Sequence, residues 1–281
     1  APARDLDALG KPGPHAPAAV TLPELEDARV RFALATIFTE PDADGPEGYP
    51  ADDVERAWRA GRTQLEVYLT WRDQKRIALD LGSVLREDPS VGEVRAGMGV
   101  AETIPVPLEQ RVARIAPRPF LRVGILMENA DPIRSPAELP WWAERGVVAI
   151  GLAWAKPSRY ADGNAVERAP SSGTSSQRGL TDLGRELVRE MDRLHILHDA
   201  SHLSDRAFDD LCAATTRTII ASHSNCRAIT DPSGANQRHL TDAQIKEIAR
   251  RGGVIGLNLF SPFLSRAASA AGARSDDATP P

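Results

Sequence analysis

The chain has only two cysteines in 281 residues, Cys212 and Cys226, and no CxxC pair. That count excludes a disulfide framework and fits a reduced setting in which both thiols are small packing residues. Long apolar runs are missing as well. The longest, "VVAIGLAWA" (147–155), is about half of what a membrane span needs. The first residues, "APARDLDALGKPGP", lack a basic segment followed by an apolar one, so no signal peptide is visible and a cytoplasmic location is expected. No basic block stands out, and a net charge of −5 speaks against a nucleic-acid partner. A GxGxxG turn, the mark of a dinucleotide-binding sheet, is absent.

What is present is a core-forming composition, 42% hydrophobic and 26% charged, in which short apolar runs alternate with amphipathic stretches. Runs at 30–38, 120–129, 147–154, 196–202, 218–224 and 254–260 are almost continuously apolar, as parallel strands covered on both faces are. Helical stretches are expected at 51–86, 135–146 and 181–195. In the last, Leu183, Leu187, Met191 and Leu194 recur at helical spacing and form one apolar face. Ser135 with Glu138, and Thr241 with Gln244, have the spacing of capping boxes. Gly146 and Gly252 stand where helix ends need a left-handed residue. The repeating βα order predicts an α/β fold of the (β/α)8 TIM-barrel type rather than a doubly wound sheet. Only about six strands are recognisable, so the barrel is expected to be incomplete. Two Gly/Pro/Ser-rich loops, 40–53 and 160–179, follow strand ends, where a barrel places its active face. Residues 1–264 are read as one barrel domain and 265–281 as a polar, disordered tail.

The strand ends carry the chemistry. Glu128 closes "VGILM", Trp154 closes "AIGLA", His202 follows "HDAS", His223 follows "IIAS", and Asn258 lies in "IGLNLF". Both histidines complete the same three letters, Ala-Ser-His, 21 residues apart in consecutive strand–helix units. In a barrel these ends converge on one mouth, and Glu128, His202 and His223 make a set suited to zinc, which commonly takes three protein ligands plus water at catalytic sites. A lone histidine at a strand end is more often a hydrogen-bonding rim residue, and Glu128 alone is equally a salt-bridge partner for Arg122, Arg134 or Arg145. His198 and Asp199 are candidates to orient His202 from behind, with plain packing the alternative for His198. His15 and His195 are not site candidates. Trp141–Trp142 is read as helix packing.

The wording itself is informative. "GLTDLGRELVREMDRLHILHDASHLSDRAFDDL", "IIASHSNCRAI" and "NQRHLTDAQIKEIARRGGVIGLNLFSPFL" closely resemble the membrane (renal) dipeptidase family of zinc metallopeptidases, densely over 179–264 and more loosely over 120–163. That resemblance implies a (β/α)8 barrel holding two zinc ions bridged by a glutamate, and hydrolysis of dipeptides, including those with a C-terminal D-residue. Carried over, Glu128 in "LMENAD" is the bridging carboxylate, and His202 and His223 hold the second zinc. Arg238 in "NQRHLTD" grips the substrate's terminal carboxylate, a bidentate task suited to guanidinium. Asp162 in "RYADG" falls on the family's Trp-Ala-Asp loop as a catalytic candidate.

The departures set up the competing expectation. The His-x-Asp pair of the family's first strand occurs nowhere here, so one of the two zinc sites is expected to be incomplete. Trp154 occupies the place of a carbonyl-polarising histidine and becomes a substrate-binding candidate. The eighth strand, with its proton-accepting aspartate, does not follow "SPFL". An inactive binding or scaffold homologue, or a truncated copy, is therefore the alternative to a zinc dipeptidase, and a general amidohydrolase fits the wording less well. Strands 30–38 and 254–260 are expected to present open edges, which a native short variant would have to cover with an oligomeric partner, such as a homodimer, or with extra elements.

Overall fold

A computed structural model describes residues 21–80, 121–165, 178–231, 233, 236–260 and 263–264. Its centre is β5 (Leu121–Met127), seven residues of which only Arg122 is not buried. Along one edge runs β1 (Phe32–Ile37), in parallel register from Phe32 opposite Arg122 to Ile37 opposite Met127. The other edge is shared. The first half of β5 pairs with β4 (Ile77–Leu79), the second half with β6 (Val147–Gly151). From β6 the sheet continues to β7 (Leu197–Asp199) and β8 (Ile219–Ile220). All these pairings are parallel, so every strand delivers its C-terminal end to the same rim.

Helices cover the outer face. After α1 (Leu22–Asp27) and α2 (Val54–Asp73) come α3 (Leu139–Ala143), α4 (Asp182–Leu194), α5 (Asp205–Ala214), α6 (Arg227–Thr230) and α7 (Asp242–Arg250). Helix α4 illustrates why they form. Thr181 caps it by accepting the N–H of Gly184 at 3.0 Å, and Leu187, Val188 and Met191 bury one face completely. Each such side chain contributes roughly 1.5–3 kcal/mol by leaving water. His195, left-handed at φ 57, ends the helix, and Ile196 returns its N–H to Met191 at 2.9 Å. Gly146 and Gly252 have φ of 101 and 69, the conformation expected at those helix ends. The Thr241–Gln244 capping box is formed. No helix among the described residues is long and apolar enough to cross a membrane.

Several expectations are corrected. The long helix ends at Asp73, not near 86, because left-handed Lys75 (φ 56) turns the chain into β4; residues 81–86 lie outside the described ones. The loop 40–53 contains a two-residue parallel pair, β2 (Glu40–Pro41) with β3 (Gly48–Tyr49). Ser135 makes no side-chain cap, since Glu138 turns instead to the N–H and guanidinium of Arg134. The strand expected at 254–260 shrinks to one bridge, Ile255 with Ala221, and Val254, Leu257, Leu259 and Phe260 are exposed. Among the described residues nothing pairs with its far side, and a ladder with one partner and no covering face does not propagate. The sheet is thus an open, barrel-type arc. Residues 265–281, expected as a tail, and 166–177 of the second loop lie outside the described residues.

Candidate metal centre

Strand register brings the rim residues level. Met127 pairs with Ile150, Gly151 with Asp199, and Asp199 with Ile220, so the residues that follow β5, β7 and β8 meet above the sheet. There Glu128, His202 and His223 form the one group of three or more potential ligands among the described residues. Glu128 Oε1 lies 3.2 Å from His202 Nε2 and 3.1 Å from His223 Nε2, and the two nitrogens are 2.9 Å apart. A triangle of that size has its centre about 1.8 Å from each corner, so a point about 1 Å off its plane is ~2.0 Å from all three atoms, the length of a zinc–nitrogen or zinc–oxygen bond.

The hydrogen bonds behind the triangle decide what its corners can do. Asp199 is buried and accepts the N–H groups of Ser201 (3.0 Å) and Ser222 (2.9 Å) on Oδ1, while Ser222 Oγ donates to its Oδ2. With its proton committed there, Ser222 Oγ accepts from His223 Nδ1 at 2.7 Å. On the other imidazole, His202 Nδ1 donates to Asn164 Oδ1 at 3.1 Å. Each ring therefore carries its proton on Nδ1 and turns a bare Nε2 lone pair inward. Three lone pairs with no proton between them repel one another unless a cation sits among them, and this donor set fits zinc. The twin Ala-Ser-His words now have a reason, for Ser201 Oγ accepts the N–H of His223 at 3.1 Å and lies 3.3 Å from Ser222 Oγ.

The backbone is held in an uncommon state to achieve this. His202 has φ 69, left-handed for a residue with a Cβ, a conformation that costs of order 1 kcal/mol and persists where the surroundings over-determine it. Asn164 supplies part of that constraint, donating its own N–H to His202 O at 2.8 Å. Gly163 lets Asn164 approach, because a Cβ there would lie 1.9 Å from Trp154 O.

Charge follows geometry. Burial alone would raise the Glu128 carboxyl, but in acid, once the two imidazoles are protonated on Nε2 as well, their N–H groups and charge outweigh it and bring it down to about 2. Burial, reinforced by the Arg238 charge and only partly opposed by Glu128, lowers His202 to about 4, so its imidazole is neutral at pH 7. Arg238 is buried behind His223, donating to Ser224 Oγ at 3.2 Å and to His223 O at 2.9 Å. Burial lowers it to about 10, still protonated at neutral pH. Trp154 stands beside the triad, its ring 5.5 Å from that of His202 and 5.2 Å from that of Phe38.

Other candidates lie elsewhere. The structure does not bring Asp162 into the triad: its carboxylate accepts the N–H groups of Arg178 and Gly179 and pairs with the Arg178 guanidinium, and its carbonyl receives Ser204 N–H. His198 turns away as well, its Nε2 2.7 Å from Asp192 on α4. Trp142 is fully buried with Trp141 edge-on at 5.0 Å, which is helix packing. Asn258 holds a loop, its N–H donated to Asn225 Oδ1 at 2.9 Å. Asn164 and Ser222 were not singled out by the sequence reading, although Ser222 is visible in the repeated word.

Known proteins resemble the chain in sequence and in fold. The membrane dipeptidase family (peptidase family M19) matches residues 111–279. An uncharacterised Acinetobacter calcoaceticus protein is 31% identical over 145 residues, 51% of this chain and 44% of that protein. The dipeptidase tcpJ of Claviceps purpurea is 32% identical over 120 residues, 43% of this chain and 26% of that one. The crystal structure of the probable dipeptidase PvdM from Pseudomonas aeruginosa superposes with a TM-score of 0.65 at 23% identity, covering 92% of this chain and 56% of that one. The aligned segments span less than half the length of these two relatives by sequence.

Proposed function

The chain belongs to the membrane dipeptidase family, and on that premise we propose that it acts as a zinc-dependent hydrolase of dipeptides, with Glu128, His202 and His223 as metal ligands. The observation that carries the reading is the proton-free triangle of two Nε2 atoms and one carboxylate oxygen, 2.9–3.2 Å on a side. Zinc held there supplies Lewis acidity and a water acidified toward neutrality, the chemistry amide hydrolysis requires.

The chain's own residues do the rest. Glu128 stays ionised at neutral pH, and the bonds from His202 Nδ1 to Asn164 and from His223 Nδ1 to Ser222 leave both Nε2 atoms as acceptors toward a cation. Arg238 offers a fixed positive charge for the substrate's terminal carboxylate, its guanidinium immobilised by Ser224 and the His223 carbonyl. Trp154 and Phe38 form an apolar wall that excludes water beside the triad. Asp162 we assign to holding the 178–179 segment against the loop that carries Asn164, and not to proton transfer. On this reading the elements from 21 to 264 belong to one hydrolase domain.

A second reading has a specific basis: Trp154 stands where the family resemblance places a carbonyl-polarising histidine, which favours a metal-binding homologue without turnover. Zinc analysis of purified protein, together with hydrolysis of Gly-D-Phe with and without chelator, separates the two. The dipeptidase reading expects bound zinc and chelator-sensitive cleavage. Bound zinc without cleavage favours the scaffold, and absence of zinc contradicts both.

A further inference from the structure

The loop between β1 and α2 carries a buried knot of hydrogen bonds that the proposed chemistry does not use. It is built to deliver one side chain. Glu40 N–H is bonded to Glu47 O, Gly48 N–H to Gly45 O, and Asp42 N–H to Tyr49 O at 2.7 Å, so the loop closes on itself. Lys156 ties it to the loop after β6, its Nζ 2.8 Å from Pro41 O and 3.1 Å from Glu40. From this strap Tyr49 points inward, 3% exposed.

Its hydroxyl is the keystone of the knot. Tyr49 donates to Asp131 Oδ2 at 2.5 Å and accepts from Asn129 Nδ2 at 3.0 Å. The same Asn129 amide donates to Thr39 O at 3.0 Å, two residues past β1, and Asn129 Oδ1 accepts Asp131 N–H at 3.2 Å. Asp131 Oδ1 takes the N–H of Arg159 at 2.9 Å. Thr39, Asn129 and Asp131 are all buried, so water does not replace a partner that is lost. Asn129 is the residue immediately after Glu128. On the near side Glu128 N–H is fixed to Ile37 O at 2.9 Å. The carboxylate thus leaves a peptide clamped on one side by the sheet and on the other by the knot.

We propose that Tyr49 is a positioning residue for Glu128: through Asn129 it locks the backbone from which the carboxylate reaches the two imidazoles. The inference rests on the reading of Glu128 as a metal ligand. Residues that orient a ligand from behind typically alter metal affinity by 10–100-fold when removed.

The test compares a buried phenol with a half-buried one on the same flank of the sheet. Tyr49→Phe removes the keystone hydroxyl and keeps the ring. Tyr68→Phe removes a hydroxyl that donates to Thr36 O at 2.8 Å, within β1 and outside the knot. Cobalt(II) is titrated into each protein and followed by its visible absorption. Tyr49→Phe is expected to bind cobalt about 10-fold more weakly with an altered band shape, and Tyr68→Phe within about twofold of the unsubstituted chain. Should Tyr49→Phe not fold, Asn129→Ala breaks the knot from its other side and carries the same expectation. Equal affinity for Tyr49→Phe and the unsubstituted chain, or equal loss in both phenylalanine variants, overturns the proposal. Amide exchange at Glu128 in the metal-free proteins gives an independent readout, expected several-fold faster in Tyr49→Phe alone. If the unsubstituted chain takes up no cobalt, the metal reading falls, and unchanged exchange at Glu128 then overturns the positioning role separately.

Discussion

Two strand ends of similar sequence character have opposite fates in this molecule. "TIIASHSN" and "VIGLNLF" are both short apolar runs that reach a polar residue near their C-terminal end. The first becomes β8 and the rim residue His223, with Ile219 and Ile220 buried, paired with β7 on one side and bridged at Ala221 to Ile255 on the other. The second holds one bridge, and its Leu257 and Leu259 are 72% and 74% exposed. What separates them is the number of neighbours. A rim residue is placed to serve as a ligand only where flanking strands fix its height and a polar layer behind fixes its proton, as Asp199 and Ser222 do for His223. Asn258, with a neighbour on one side only, is left holding a loop.

That contrast can be broken or sharpened by substitution. The largest effect is expected at the rim. His202→Ala or His223→Ala should weaken zinc binding by at least about 100-fold, more than loss of an orienting partner costs, as read by competition with a chelating dye. Ser222→Ala removes the acceptor that keeps the His223 proton on Nδ1, together with the donor to Asp199, and should cost about 10–100-fold in the same titration. In the helical layer, Leu187→Ala should lower unfolding free energy by about 2–5 kcal/mol in urea while leaving zinc affinity of the folded protein unchanged. Acid should act on the rim as well. The unfolded chain takes up a proton at His202 near pH 6.5, and the folded one only near 4, so stability is full above 6.5 and is lost as pH falls through that window. Glu128 adds a further loss between 4.5 and about 2. Urea midpoints from pH 7 to 4 should fall for the unsubstituted chain and fall less for His202→Ala. The smallest effect belongs to the open edge: Leu257→Ser and Leu259→Ser should change stability by no more than about 0.5 kcal/mol and reduce aggregation measured by light scattering.

How much of this was readable beforehand follows the same division. Strands β1, β5, β6, β7 and β8 were legible because each is an apolar run between helices, and Glu128, His202 and His223 were legible because each ends such a run. The reading missed β4, three residues following the Lys75–Arg76 pair, because its strand character comes from β5 and not from its own composition. It overextended 254–260 for the converse reason, since a run with strand character needs partners that the described residues do not supply. Asn164 was hidden because its bond to His202 spans 38 residues and depends on a glycine approach that no local pattern reveals. Asp162 had the family's position, yet its carboxylate is engaged by backbone donors that only the folded loop brings near.

The central claim is that one carboxylate and two imidazoles share a cation, and X-ray absorption at the zinc edge of the loaded protein tests it most directly. The account predicts a first shell of nitrogen and oxygen at about 2.0–2.1 Å with the outer-shell scattering of two imidazole rings, and loss of one ring's signal in His223→Ala. A zinc shell without imidazole scattering, or one unchanged by that substitution, would contradict it.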